Sequence, residues 1–211
     1  MLLRSSFRSL TIALLVIVGL AVLLPPSTAR ADSVELPFEM RFPQEVDKTT
    51  FHNDWGQRRP GRRRHTGTDL MATQKMVEVY AIADGVVSSI KETARPGRYL
   101  YIEHVGGWTS LYIHLNDDNP GTDDGRAPWY LTLAPGIEVG AEVEAGQLIG
   151  WTGDSGNAEG ANPHTHFELS VDGKTVNPYP YLEAAHERDL ADKLRREQLI
   201  ESQMLGSLVI V

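Results

Sequence analysis

The sequence predicts a mainly β, antiparallel domain followed by a C-terminal amphipathic helix. Between Phe38 and Leu182, short apolar or alternating runs recur, each bounded by Gly, Pro, Asn or Asp. No stretch of about 12 or more residues in this region has helical periodicity. The chain has 211 residues, 41% of them hydrophobic, which suffices for one well-buried domain with extensions rather than two full domains.

The N-terminal segment has the pattern of a secretory signal peptide over residues 1–31. Two arginines precede an apolar run from Leu10 to Leu24, and small residues form an A-x-A cleavage site at 29–31. The alternative is an uncleaved membrane anchor, although a run of about 15 residues falls short of the ~20 that span a bilayer. We therefore expect export, a short linker at 32–37, and membrane contact only if the segment is retained.

Charge and cysteine content limit the partners and the compartment. The net charge is −8, and loss of Arg4, Arg8 and Arg30 with the signal peptide takes it to −11. This acidic balance argues against nucleic acid as a partner, because duplex binding needs basic surface. The chain has no cysteine, so an exported form has no disulfides and depends on its core and on any bound metal. This composition suits a bacterial envelope or secreted protein.

One basic segment departs from the acidic balance. Its members, which lie just before His65, are Arg58, Arg59, Arg62, Arg63 and Arg64. A solvated basic loop is the simpler interpretation. The alternative is a patch that approaches an anionic polymer or orients a substrate carboxylate.

Six strands are expected from the apolar and alternating runs. In chain order they are Val77–Ile82, Gly85–Lys91, Tyr99–His104, Ser110–Leu115, Leu148–Thr152 and His166–Val171. The pairs Asp84-Gly85, Gly106-Gly107 and Asp172-Gly173 supply turn signals between such runs.

The segment 116–135 is a polar insertion, rich in Asp and Asn, that follows His114. Oxygen ligands over residues 117–125 could bind Ca²⁺, but their spacing misses the EF-hand pattern. An acidic surface loop is therefore the preferred interpretation. Its position after His114 predicts that it lies near the rim of the site.

The segment 136–150 alternates hydrophobic positions with acids and places glycines at bends. It resembles a hairpin shared by biotinyl and lipoyl carriers and by a group of β-sandwich peptidases. A carrier needs a lysine at the tight turn to take its prosthetic group, and this segment has none. The missing lysine weighs against a carrier.

The remaining segment, 183–211, is predicted to be a helical tail. Residues 183–203 are rich in Ala, Glu, Leu, Lys and Arg, with apolar positions at Leu190, Leu194 and Leu199. This pattern is typical of an exposed amphipathic helix.

Five residues in three short segments can assemble into one open zinc site. They are His65, Asp69, His114, His164 and His166. Two histidines and one carboxylate are a ligand set of hydrolytic zinc, which keeps a fourth position open for water. The two remaining histidines are then available for proton transfer and oxyanion stabilisation.

Strand phase predicts which of these side chains share a face. His164 and His166 are two apart in a strand-like run, so they point to one side, while the mostly apolar residues between and after them take the other. His65 and Asp69 are four apart, which also shares a face in an extended chain, and Gly67 permits a bend between them. His114 is expected to follow the same alternation, with the phase assigned as Leu111, Ile113 and Leu115 against Tyr112 and His114.

Together these motifs resemble the lysostaphin-type (LytM-type) zinc metalloendopeptidases, which cut peptidoglycan cross-bridges. The resemblance runs from about Phe42 to Leu182, and the segments that carry it are 64–70, 83–87, 111–115, 150–153, 164–168 and 177–178. It implies that His65, Asp69 and His166 ligate one Zn²⁺ ion and that His114 and His164 are the catalytic pair. It also implies a barrel-sandwich β domain over residues 38–182 with an open groove.

The function that this resemblance implies is an exported zinc metalloendopeptidase acting on the peptide part of bacterial peptidoglycan. The alternative is a non-catalytic domain of the same fold that binds the wall or activates another hydrolase. The sequence leaves open the scissile bond, the oligomeric state, and which member of the catalytic pair is the base.

Other polar residues are assigned simpler roles. His104 is expected to be a hydrogen-bonded core residue, and His52 and His186 are expected at the surface. Asn53 lies where some members of the resembled family present an inhibitory or substrate-contacting polar residue. Glu168 either orients a histidine or is a solvated strand residue.

Overall fold

The computed structural model describes residues 34–208, so the predicted signal peptide over 1–31 lies outside the described residues. The elements in this range are β1 Thr49–Thr50, β2 Arg58–Arg59, β3 Arg63–Arg64, β4 Thr68–Ala72, β5 Glu78–Tyr80, β6 Gly85–Thr93, β7 Gly97–Glu103, β8 Trp108–Leu115, β9 Glu142–Val143, β10 Leu148–Trp151, β11 His164–Val171, β12 Lys174–Val176 and α1 Tyr179–Leu208. Over the same range, no helix combines the length and the apolar character needed to cross a bilayer.

The strands form one large sheet and two small ones, and every pairing is antiparallel. The large sheet has the order β1-β4-β11-β8-β7-β6-β9, with β12 added to β11. The strands β5 and β10 pair with each other, as do β2 and β3. The sheets do not close, so the architecture is an open sandwich. The predicted mainly β, antiparallel fold with a C-terminal helix is confirmed, and all six predicted strands are present.

One continuous core lies between the sheets. Its members come from both the large sheet and the β5–β10 pair, and Tyr112, Phe167, Val79 and Ile149 are fully buried. The Tyr112 and Phe167 rings meet edge to face with centroids 5.4 Å apart. Burying each such side chain contributes about 1.5–3 kcal/mol to the free energy of unfolding, so this core stabilises the strands that carry the site.

The segment 136–150 is not a hairpin, which corrects the sequence-based interpretation. Its two strands do not pair with each other: β9 pairs with β6, whereas β10 pairs with β5. Gly146 lies between them with a φ of 79°, a conformation that glycine adopts without steric cost. The segment therefore crosses from one sheet to the other, because each strand finds its hydrogen-bond partners in a different sheet.

The helix α1 begins four residues before the predicted start and docks through its first half. Leu182 and Ala185 are buried in the core, and the Asp189 carboxylate accepts a hydrogen bond of 2.8 Å from the Phe42 backbone N–H. By contrast, Leu194 and Leu199 are exposed. The apolar pattern therefore packs on the domain only where α1 passes over it.

Two of the three remaining histidines lie where they were expected, and one does not. His52 is exposed, and His104 is buried, with its ring bonded to the Asp84 carbonyl and the Ser110 hydroxyl. His186 was expected at the surface, but this prediction is wrong. Its ring is half-buried between Phe42 and Phe51, and its Nε2–H donates to the Val46 carbonyl.

Candidate active site

Three side-chain atoms from β4, β11 and the loop before β4 converge on one point. His65 Nε2 lies 2.8 Å from His166 Nδ1 and 3.1 Å from Asp69 Oδ1. His166 Nδ1 lies 2.9 Å from the same Asp69 oxygen. The structure thus brings together the three residues predicted to ligate metal, although they are far apart in sequence.

The pairing of β4 with β11 sets this geometry. Asp69 is directly opposite His166 in the register of the two strands, so their side chains leave the sheet side by side. Gly67, just before β4, lies so close to β11 that an added Cβ would fall 2.3 Å from the Phe167 carbonyl and 2.8 Å from His166 Nε2. A close approach of the backbones, rather than a bend, is therefore what requires glycine here.

The second ring nitrogen of each of these histidines faces a carboxylate. His65 Nδ1 lies 3.0 Å from Asp54 Oδ2 and 3.3 Å from the Asp54 carbonyl. His166 Nε2 lies 3.1 Å from Glu168 Oε1, which supports the orienting role for Glu168. If each of these nitrogens carries the donated hydrogen, the nitrogens that face Asp69 present lone pairs. That tautomer is the one a metal ligand needs.

The donor set fits a zinc ion. Ligands at about 2.0–2.1 Å in tetrahedral geometry are about 3.3 Å apart, and the three atoms here are only a few tenths of an ångström closer. Two imidazole nitrogens and one carboxylate oxygen also match zinc in chemical type. Three lone pairs so close together repel one another, so the arrangement favours a cation at its centre.

The electrostatics of this cluster are strongly coupled. Burial lowers the pKa of His65, but the Asp54 and Asp69 carboxylates outweigh burial and raise the pKa to about 9. For Asp69, burial raises the pKa, yet contacts with His166 and His65 hold it well below the usual range. The carboxylates therefore attract positive charge to His65 Nε2 and His166 Nδ1, where a proton and a metal ion would compete.

His114 and His164 form a second pair beside the first cluster. Their rings meet at 60° with centroids 5.1 Å apart, and the His114 ring centroid lies 6.3 Å from that of His166. His114 Nδ1–H donates to the Ser155 carbonyl and His164 Nδ1–H to that of Asn162, each at 2.8 Å. Burial, together with the nearby His164, lowers the pKa of His114 to about 4. At neutral pH the His114 ring is therefore uncharged and can accept a proton.

His114 does not reach this position by simple strand alternation, so the predicted phase of its strand is wrong. Tyr112 is fully buried in the core, whereas Ile113 is only half-buried. The register between β7 and β8 shifts here, and His114 has a φ of +63°. This irregularity places an extra residue in β8 and re-aims the side chain, as bulges beside active sites do.

The basic segment divides into one inward and four outward arginines. The half-buried Arg59 contacts Asp54 and Asp69, whereas Arg58, Arg62, Arg63 and Arg64 are exposed. The solvated interpretation therefore fits four of the five.

The acidic insertion is buried where it begins, whereas residues 120–126 are exposed, as expected of a surface loop. Asp117 is 7% and Asp118 2% exposed, and with Asp154 they bring three carboxylates close enough for a cation. Lys75 supplies positive charge there, because its Nζ lies 2.6 Å from Asp118 and 2.7 Å from Asp154 and also contacts Asp123. Lys75 thus offsets part of the negative charge of this cluster, and Ca²⁺ binding at 117–125 stays the less favoured alternative.

Sequence reasoning missed Asp54 and singled out its neighbour Asn53. Asn53 is exposed, whereas Asp54 is 3% exposed and contacts His65. No spacing signal marks Asp54, because it meets His65 through a turn in which Gly56 N–H donates to the His65 carbonyl. An acid before a basic segment was the only sequence signal available.

A family model described as peptidase family M23 matches residues 63–124 and 120–178. These residues make up more than half of the chain and include all five site residues. The chain therefore belongs to peptidase family M23.

The chain is also similar to a named relative and to solved structures. It is 28% identical over 146 residues to the peptidoglycan DD-endopeptidase ShyA of Vibrio cholerae, a match that covers 67% of this chain and 29% of ShyA. A zinc-containing peptidase from Vibrio cholerae superposes with a TM-score of 0.52 at 26% identity, covering 66% of this chain and 39% of that one. The lysostaphin catalytic domain from Staphylococcus simulans superposes with a TM-score of 0.51 at 23% identity, covering 65% and 95%, a likeness of fold. The resemblance to lysostaphin-type peptidases is confirmed, while the chain spans less than a third of ShyA.

Proposed function

We propose that this protein is a zinc metalloendopeptidase that hydrolyses peptide bonds in bacterial peptidoglycan. The single observation that carries the proposal is the convergence of His65 Nε2, Asp69 Oδ1 and His166 Nδ1 beside a second histidine pair. Membership of family M23 and the similarity to a peptidoglycan endopeptidase support the substrate class.

In this proposal His65, Asp69 and His166 hold one Zn²⁺ ion. When bound, zinc supplies Lewis acidity and brings the pKa of its water to about 7. Asp54 and Glu168 keep the two histidine rings in the tautomer that ligation needs.

The second pair would carry the proton chemistry. The Ser155 carbonyl holds the hydrogen of His114 on Nδ1, so Nε2 is free to accept a proton from the attacking water and then to pass it to the leaving amine as the C–N bond breaks. Because burial keeps the His114 ring uncharged, we assign it as the general base. The more exposed His164, once protonated on Nε2, would donate to the developing oxyanion of the scissile carbonyl.

We further propose that the protein works in the cell envelope or outside the cell, with residues 1–31 as a cleaved signal peptide, 32–37 as a linker, 38–182 as the peptidase domain and 183–211 as a tail. The apolar run from Leu10 to Leu24 and the substrate class support this organisation. The acidic insertion 116–135 would shape the groove beside His114.

The test combines metal analysis with wall digestion. The full chain is expressed and secreted, its mass reports whether it begins at Asp32, and its zinc content is measured. Purified peptidoglycan is then digested, and the products are read by mass spectrometry. We expect about one zinc per chain and new amino termini from the unaltered protein, with His166→Ala losing both.

The matched control is His52→Ala, which removes an exposed histidine from outside the cluster. It should retain both zinc and cleavage. Stoichiometric zinc without new amino termini would refute the peptidase and favour a wall-binding or hydrolase-activating domain. Zinc that stays bound in His166→Ala would refute the ligand assignment.

A further inference from the structure

Arg59 is half-buried, whereas the other arginines of the basic segment are exposed. Its Nη2 lies 2.7 Å from Asp69 Oδ2 and 3.1 Å from Asp54 Oδ2, so one nitrogen bridges two carboxylates. The other four arginines of the segment are exposed, so this contact with the site distinguishes Arg59 from them.

The two carboxylates that Arg59 joins lie on opposite sides of one ring. Asp54 Oδ2 faces His65 Nδ1, and Asp69 Oδ1 faces His65 Nε2. Asp54 is 3% exposed, so its charge would be costly without a cation close by. Arg59 supplies that cation and links Asp54, on the Nδ1 side of the His65 ring, to Asp69, on its Nε2 side.

We propose that Arg59 is a positioning residue for the metal site: it reserves Asp69 Oδ2 for itself, and it holds Asp54 against His65. The inference rests on the proposed function, because it concerns the same ligand set. It adds a role for a residue that makes no contact with the central point itself.

The two oxygens of Asp69 have different partners. A free carboxylate can turn and offer both oxygens to a metal ion, which would fill the position that a hydrolytic zinc keeps open for water. With Oδ2 bonded to Arg59, only Oδ1 faces His65 and His166. Hydrogen bonds of this kind around ligands set metal affinity and coordination.

A purely structural role is the competing explanation. Arg59 belongs to the two-residue strand β2, which pairs with β3, and its contacts could serve only to hold this small hairpin against the domain. The coordination number of the bound ion separates the two explanations. A loosened hairpin could shift His65, which directly follows β3, and so weaken metal binding, but it would not add a ligand to the ion.

The experiment compares Arg59→Gln with the control Arg58→Gln and the conservative variant Arg59→Lys, all in the full chain. Zinc affinity is measured by competition with a chromogenic chelator, and coordination is read from the visible spectrum of the Co²⁺-loaded protein. Circular dichroism checks folding. We expect Arg59→Gln to weaken zinc binding about 10- to 100-fold, because Asp54 and Asp69 are then no longer held in place. We also expect it to lower the Co²⁺ absorption, because the second Asp69 oxygen can then become a fifth ligand. Arg58→Gln should match the unaltered protein, and Arg59→Lys should recover part of the affinity.

Each outcome decides the inference. Unchanged affinity and spectrum in Arg59→Gln would overturn it and leave the proposed function standing. Weakened affinity with an unchanged spectrum would overturn it in favour of the hairpin anchor. Weakened affinity with lowered Co²⁺ absorption would support it, and would do so even if the unaltered protein binds zinc but leaves the wall uncut, a result that overturns the peptidase. An unaltered protein without zinc would overturn both. If Arg59→Gln does not fold, Arg59→Lys decides: full affinity and an unchanged spectrum would show that charge alone suffices and overturn the proposed reservation of Oδ2.

Discussion

Each of the four site histidines has one ring nitrogen that faces a carboxylate or a backbone carbonyl, and the kind of group differs between the two pairs. His65 and His166 face carboxylates, which favour positive charge on the ring or beside it. His114 and His164 face backbone carbonyls, which hold a hydrogen on Nδ1 without adding negative charge. This difference gives a physical reason to propose the first two as ligands and the last two as proton carriers.

Asp117 should make the fold less stable as the pH rises. Burial and the nearby Asp118 raise its pKa to about 6, from 3.8, and its Oδ1 is buried without a hydrogen-bond partner. Its stabilising contribution is therefore complete below about pH 4 and lost as the pH rises through 6. We expect Asp117→Asn to raise the free energy of unfolding by about 1–2 kcal/mol at pH 7.5 and to leave it unchanged near pH 4.

Urea unfolding at both pH values measures this effect. Asp192→Asn, on the outer part of α1, is the matched control for the removal of one carboxylate. A gain of equal size at both pH values would contradict the explanation.

At the scale of elements, the sequence predicted six of the twelve strands in the described residues, including β11, but neither β4 nor the bulge in β8. The run at β11 alternates cleanly, with Thr165, Phe167 and Leu169 fully buried, so local periodicity sufficed there. The irregularity at His114 depends on how β8 pairs with β7, which a single strand's pattern does not contain. For the same reason Asp54 and Arg59 escaped notice as site residues: their contacts arise from the folding of a loop onto β4.

Gly67 should be among the least replaceable residues of the β4–β11 pair. An added Cβ would press on the Phe167 carbonyl and the His166 ring, and backbone atoms there cannot move without disturbing the register. We expect Gly67→Ala to cost about 1–3 kcal/mol of stability and to weaken zinc binding. Thermal unfolding and chelator competition measure the two effects.

Gly160→Ala provides the comparison. The alanine Cβ would meet open space, but the φ of +73° is unfavourable for alanine. This variant should therefore lose about 1 kcal/mol of stability and keep its zinc affinity. Undiminished zinc binding in Gly67→Ala would contradict the close-approach argument.

At the scale of the whole molecule, zinc should stabilise the fold. The chain has no cysteine, and the proposed ligands join β4, β11 and the loop before β4, so an ion at this point links separate parts of the chain. Zinc at 100 times its dissociation constant should add about 2.7 kcal/mol to the free energy of unfolding. Urea unfolding with zinc or with a chelator measures the difference.

His166→Ala should abolish this zinc-dependent increment, while His52→Ala should keep it. An unfolding midpoint that is the same with zinc and with chelator in the unaltered protein would contradict the expectation.

The separation of the proposed ligands along the chain also has a consequence for timing. His65 and His166 meet across 101 positions of sequence. While the chain is being made or moved, its first two ligands are present long before the third, and contacts between such distant residues form late in folding. The proposed metal site should therefore form only when nearly the whole domain has assembled.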